Sequence, residues 1–222
     1  MTAVALVPGA GGAGWYWHRV VAELRTRGLD AFAVDLPAAD EASGLQAYAD
    51  VVVEAIGGRD DVVLAAHSLG GFTLPLVWPR VATRAVVFVN AMVPMPGETA
   101  GEWSEHVGSS EARVRAAELG GYPVQFDDRT YFFHDVPADL VRESAAHDGP
   151  ETDAAFAEAV DFAWPDAPVR VVAARDDRVF PLDLQRRIAR DRLRVEPVVV
   201  PGGHLAPLSH PIEVADAITG AG

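Results

Sequence analysis

The stretch Val62-Val-Leu-Ala-Ala-His-Ser-Leu-Gly-Gly71 decides how this chain is read. Five branched or small apolar residues run into a histidine, a serine and, one residue later, two glycines. An apolar run without polar alternation suits a strand covered on both faces. A serine placed directly after such a strand and directly before a helix stands at a corner, its side chain clear of the sheet edge. Small residues two places to either side let strand and helix pass close together, which is the physical content of a G-x-S-x-G elbow. Positions 66–70 read Ala-His-Ser-Leu-Gly, so alanine replaces the first glycine at the cost of one methyl and the second is kept. Alone, the pattern equally describes a serine satisfying backbone groups at a helix start.

Outward from this corner, similar apolar runs recur at residues 3–7, 31–34, 85–89, 169–174 and 195–200. Segments of helical period lie between them. At 45–56, Leu45, Tyr48, Val52, Ala55 and Ile56 fall three or four apart on one stripe. The alternation predicts an α/β fold, a mostly parallel six-stranded sheet with helices on both faces. The rhythm breaks between Asn90 and Pro168, where no convincing central strand occurs and turn-rich stretches separate helical patterns at 110–119, 138–146 and 152–160. That is too long for an ordinary connection. The expected organisation is a core of residues 1–90 and 168–222 with a helical lid at 91–167; a decorated crossover without a role is the alternative.

Composition narrows the chemistry. A formal net charge of -14 over 222 residues disfavours nucleic acid and anionic membrane surfaces as partners. All 18 basic residues are arginine, which removes Schiff-base lysines and Walker-type phosphate lysines; with no cysteine, thiol catalysis, disulfides and cysteine-built metal sites are gone too. No metal or organic cofactor is expected. Met1-Thr2 leads straight into an apolar run with no basic region, and no 18-residue uncharged apolar window occurs, so a soluble cytoplasmic protein is expected.

A nucleophilic serine needs a histidine to take its proton and a carboxylate to orient that ring. The last apolar run leads into Pro201-Gly-Gly-His204, and the preceding one into Ala174-Arg-Asp-Asp177, with Pro181 opening the next helix. His204 and Asp177 therefore stand at the same sheet edge as Ser68, in the order serine, acid, histidine expected of an α/β hydrolase. Asp176 is the alternative carboxylate, better suited to capping or pairing with an arginine. His67 adjoins Ser68 but points to the other side of an extended chain. His210 sits close to the following helix, where capping or exposure suits it.

A tetrahedral oxyanion also needs donors. The Leu69 amide lies at the start of the helix after Ser68, and the Ala10 amide lies in the glycine-rich loop Pro8-Gly-Ala-Gly-Gly-Ala-Gly14, with Gly9 and Gly11 shaping the turn. That loop also fits G-x-G-x-x-G over Gly9–Gly14, with Asp35 as the acidic partner of a dinucleotide fingerprint. The nucleotide reading leaves Ser68, Asp177 and His204 unexplained, and bulky Trp15-Tyr-Trp17 follows at once.

The chain resembles the α/β-hydrolase superfamily over essentially its whole length, most closely its small esterase and hydroxynitrile-lyase branch. The resemblance rests on Val7-Pro-Gly-Ala-Gly-Gly-Ala-Gly-Trp-Tyr-Trp-His-Arg19, Ala33-Val-Asp-Leu-Pro37, Ala66-His-Ser-Leu-Gly-Gly71, Ala91-Met-Val-Pro-Met-Pro-Gly97, the Asp176-Asp177 turn, and Gly202-Gly-His-Leu-Ala-Pro-Leu-Ser-His210. It implies Ser68 as nucleophile, Asp177 as acid, His204 as base and the Ala10 and Leu69 amides as oxyanion hole. The family's His-Gly at the start of the first loop is Pro8-Gly9 here, and the chain opens on what is usually the third strand, as in a trimmed version of the fold. Lyase members carry a threonine where Gly9 stands and a lysine where Leu205 stands. Their absence makes ester hydrolysis the expected reaction, on a small, largely apolar carboxylic ester.

Gly9, Gly11, Trp15, Phe72, Met92, Phe132, Phe133 and His134 are candidate pocket residues, with the Tyr131-Phe-Phe-His134 patch the most suggestive part of the lid. Core or lid packing is the competing role for each. Lactone or thioester hydrolysis, elimination on the same scaffold, and a non-catalytic protein binding a small apolar ligand are the alternatives.

Overall fold

The computed structural model describes residues 1–220. In chain order the first half comprises β1 (Ala3–Val7), α1 (His18–Thr26), β2 (Asp30–Ala33), α2 (Leu45–Ile56), β3 (Val62–His67), α3 (Leu74–Val77) and β4 (Thr83–Val89). An insertion follows with β5 (Glu98–Thr99), α4 (Ala100–Val107), α5 (Ser109–Gly120), α6 (Asp128–Tyr131), α7 (Ala138–Ser144), α8 (Asp153–Ala157) and β6 (Ala159–Val160). The chain then returns through β7 (Val169–Ala174), α9 (Leu182–Ile188), β8 (Val198–Val200), α10 (Ala206–Ser209) and α11 (Pro211–Thr219).

Six strands form one parallel sheet in the order β2-β1-β3-β4-β7-β8. Successive side chains of a strand point to opposite faces. Along β3, Val62, Leu64 and Ala66 join the core shared with α2 and α3, while Val63 and Ala65 join the core shared with α1 and α11. β1 divides in the same way, with Ala3, Ala5 and Val7 on one side and Val4 and Leu6 on the other. Helices cover both faces, so the central strands are apolar throughout. Each fully buried Val or Leu contributes about 1.5–3 kcal/mol.

The expected strands are all present, with shifted ends. β8 starts at Val198 rather than Val195, because Pro197 cannot donate to a ladder and Arg194 turns the chain through a left-handed conformation (φ 60°). Within the insertion, the helix expected over 152–160 stops at Ala157. Residues Ala159–Val160 pair instead antiparallel with Glu98–Thr99, a two-residue contact too short to leave a periodic signal. α4, which periodicity misses, begins with a capping box in which the Thr99 hydroxyl accepts from the Glu102 amide and the Glu102 carboxylate accepts from the Thr99 amide.

The insertion is fastened to the helical segment after α9 by a buried ion pair. Glu98 accepts two hydrogen bonds from the Arg192 guanidinium, one at 2.9 Å, and further ones from the Met95 amide and His106. Burial pushes the Glu98 carboxyl up, but the bonds from Arg192 and His106 outweigh it and hold the group below the usual carboxylate range. Among the described residues, no helix is long and apolar enough to cross a membrane.

Candidate active site

β3 ends at His67, and the chain reverses into the short 3-10 helix Ser68–Phe72 with Ser68 at φ 51°. A non-glycine residue in this region costs on the order of 1–2 kcal/mol, so the surroundings must enforce it. Two close approaches do so. A side chain at Gly70 would run into the Pro8 carbonyl oxygen, and one at Gly9 would lie 2.8 Å from Ser68 Cβ. The loop after β1 is thus pressed against the serine corner, and the Met92 amide donates to the Ser68 carbonyl at 3.0 Å from the far side.

The turn after β8 presents His204, which is fully buried. Its Nδ1 lies 2.9 Å from Asp177 Oδ2, while Nε2 has no protein partner and faces the same cleft as Ser68. A carboxylate at Nδ1 keeps the proton there, which leaves the Nε2 lone pair free to act as a base toward the cleft. Asp177 is itself held on both oxygens: Oδ1 accepts from the Val179 and Phe180 amides at 2.8 and 2.9 Å, and Oδ2 accepts from Gln185 Nε2 at 3.2 Å. Asp176, by contrast, is exposed.

Behind His204 lies a polar support that sequence reasoning missed. Asn90 closes β4 at φ 45°, fully buried. Its Nδ2 donates to the Gly203 and His204 carbonyls at 3.1 and 2.9 Å, and its Oδ1 accepts from the Ala174 amide at 2.7 Å. One amide therefore ties the ends of β4 and β7 to the histidine turn. His67 Nε2 lies 2.9 Å from the same His204 carbonyl. Burial, reinforced by the neighbouring His204, pushes the His67 pKa down to about 3, so at neutral pH its ring is an uncharged donor. From the insertion, Asp135 accepts the Gly203 amide at 2.7 Å.

On the opposite wall, the exposed Ala10 amide has no acceptor among the described residues. Leu69 is in the first turn of the 3-10 helix, where amides lack intrahelical acceptors. The Gly11 amide is taken: it donates to Glu151 Oε2 at 2.9 Å, while Glu151 Oε1 accepts from the Tyr48 hydroxyl. Burial pushes the Glu151 carboxyl up against these two bonds. Asp35 Oδ1 accepts the Gly14 amide at 2.8 Å, so the carboxylate that a dinucleotide reading would turn to a ribose is spent on its own loop. No cluster of three or more metal-holding side chains occurs among the described residues.

A family model described as the alpha/beta hydrolase family matches residues 4–217. The chain belongs to that family. Among curated proteins, this hydrolase is 36% identical over 107 residues to "Probable esterase PIR7A" of Oryza sativa subsp. indica. That alignment spans 43% of the hydrolase and 41% of the rice protein, about two fifths of each. It is 26% identical over 239 aligned positions to "Probable hydrolase R7" of Phoma sp., spanning 97% and 96% of the two chains. Among solved structures, polyneuridine aldehyde esterase superposes with a TM-score of 0.79 at 20% identity, over 100% of the hydrolase and 99% of that chain.

The cleft of this alpha/beta hydrolase encloses about 240 Å³. Of the residues singled out from sequence, it brings together Ser68, His204, the loop Gly9-Ala10-Gly11, and Phe132 and Phe133 of the insertion. Leu69 and Asp177 are not among the residues that line it, and four of the pocket candidates lie elsewhere. Trp15 stacks on His147, with ring centroids 4.7 Å apart. Phe72 and Met92 are buried in the core beneath the corner. His134 turns to the back of the histidine turn beside Asp135, in a separate depression with Asp176 and Asp177. Composition does not separate a core aromatic from a pocket aromatic; only the register of the surrounding helices does. Sequence reasoning also missed Tyr16 and Glu151, both of which line the cleft.

Proposed function

We propose that this alpha/beta hydrolase is a serine esterase that cleaves small, largely apolar carboxylic esters through an acyl-enzyme. The observation that carries the reading is His204: Nδ1 on a fully hydrogen-bonded Asp177, and an unpartnered Nε2 opening on the cleft that also holds Ser68. Nε2 takes the Ser68 proton as Oγ attacks the ester carbonyl. The oxyanion that develops turns toward the Ala10 and Leu69 amides, each worth about 3 kcal/mol in the transition state. The resulting imidazolium, stabilised by Asp177, protonates the leaving alcohol. Water enters, gives its proton to Nε2, and attacks the acyl-enzyme to release the acid and restore Ser68.

Further support comes from what surrounds the cleft. Leu205, at the position where hydroxynitrile-lyase relatives carry a lysine, lines it with an apolar side chain, and Phe132 and Phe133 pack against the same apolar cluster. The similarity to a protein named a probable esterase adds weight to the same reading. Residues 91–167 act as the lid over a core of residues 1–90 and 168–222. A panel of p-nitrophenyl esters tests the proposal. Turnover falling off with acyl length, and lost in Ser68→Ala, is expected; undiminished turnover in Ser68→Ala overturns it.

A further inference from the structure

The cleft is acidic in a way the ester chemistry does not require. Three carboxylates line it, Asp128, Asp148 and Glu151, and no arginine does. Glu151 is engaged with Gly11 and Tyr48, but Asp128 and Asp148 are exposed, and neither has an ion-pair partner among the described residues. They come from different parts of the insertion, Asp128 from the first turn of α6 and Asp148 from the turn leading to α8, and both close on the cleft beside Tyr16. The Tyr16 hydroxyl registers both: burial raises its pKa most, and Asp148 and Asp128 raise it further, against a hydrogen bond with Ser144 that lowers it. Three histidines also line the cleft, His67, His147 and His204, and burial holds His67 neutral.

Aromatic faces stand with these carboxylates. Tyr16, Phe132 and Phe133 line the same cleft, and the Phe132 ring lies 5.4 Å from that of His204. Aromatic faces together with carboxylates, in a cleft lined by no arginine or lysine, form an environment that stabilises an ammonium group. The unpartnered Nε2 of fully buried His204 opens on this same cleft, which marks it as the place where a ligand's reacting atoms arrive.

We propose that the cleft selects esters bearing a positively charged amine, the ammonium seated between Asp128 and Asp148 against Tyr16 and Phe132 while the ester carbonyl reaches Ser68. The inference rests on the esterase reading and adds one cationic end to a small, otherwise apolar ester. Anionic esters are repelled by the same charges.

The test compares acetylcholine with its neutral isostere, in which carbon replaces the ammonium nitrogen. At about 0.01 M ionic strength, where charges act over about 30 Å, kcat/KM for the cationic ester exceeds that of the isostere by about tenfold. The ratio falls toward one at high salt and in the Asp128→Asn/Asp148→Asn double variant, whose exposed substitutions leave the core intact. The same two esters are titrated into Ser68→Ala by calorimetry, which reads selection without turnover. Equal kcat/KM for the pair overturns charge selection and leaves the esterase reading standing. If neither ester is cleaved, tighter binding of acetylcholine to Ser68→Ala sustains selection and the p-nitrophenyl panel decides the esterase reading; equal or weaker binding overturns selection.

Discussion

Asn90 offers the sharpest test of how the histidine turn is held. Its side chain makes three hydrogen bonds in a fully buried site, to the Gly203 carbonyl, the His204 carbonyl and the Ala174 amide. In Asn90→Ala the His204 carbonyl keeps its bond from His67 Nε2 and the Gly203 carbonyl keeps its bond from the Ala206 amide, so one group is orphaned, the Ala174 N–H. A buried unsatisfied group costs about 1–3 kcal/mol, which places the loss near 2 kcal/mol. Alanine must also hold φ 45°, a conformation that glycine adopts freely. Asn90→Gly therefore loses the same hydrogen bonds but recovers about 1 kcal/mol of backbone strain. Urea unfolding followed by tryptophan fluorescence gives both values, and ester turnover on the folded variants reads the second consequence: with the turn loosened, kcat falls more than KM rises. An Asn90→Ala variant within about 1 kcal/mol of the parent, with unchanged kcat, refutes the assignment of Asn90 as the tie between the strand ends and His204.

Two further outcomes follow from the buried polar groups. His67 has a folded pKa of about 3 against about 6.5 when unfolded, so between those values the unfolded chain binds a proton that the folded chain does not. The stability contributed is complete above the unfolded value and is lost as pH falls toward the folded one. From about pH 7 to about pH 4.5 the parent should lose about 2–3 kcal/mol more than His67→Gln in urea titrations, and equal losses contradict the account. Arg192→Met leaves Glu98 buried without its guanidinium and should cost about 3–5 kcal/mol, most of it regained in Glu98→Gln/Arg192→Met; thermal unfolding of the two variants checks whether the pair fastens the insertion.

What the sequence made legible follows from range. Parallel strands buried on both faces leave contiguous apolar runs, so all six could be located before their pairing was known. Ser68, Asp177 and His204 stood out as candidates because each comes within four residues of the end of such a run, and parallel strands bring those ends to one edge. The stripe at 45–56 matched α2 because its buried residues, Leu45, Tyr48, Val52 and Ile56, face one core. The insertion was harder to read. β5 and β6 exchange two residues each, and α4 announces itself through Thr99, Glu102 and Gly108 rather than through periodicity. Asn90 carried a signal that went unused, a polar residue closing a buried strand at the carboxyl edge, the same rule that found the serine. Glu151 carried none, since its partners Gly11 and Tyr48 lie more than 100 positions away and the contact exists only once the insertion folds back on the loop after β1.

The central claim is that Ser68 is a nucleophile activated by His204. Intact-mass measurement after treatment with a fluorophosphonate tests it most directly. The account predicts one adduct per chain, located on Ser68, absent in Ser68→Ala and slowed about a thousandfold or more in His204→Ala. An unmodified Ser68 in the folded parent protein, or labelling as fast in His204→Ala as in the parent, contradicts it.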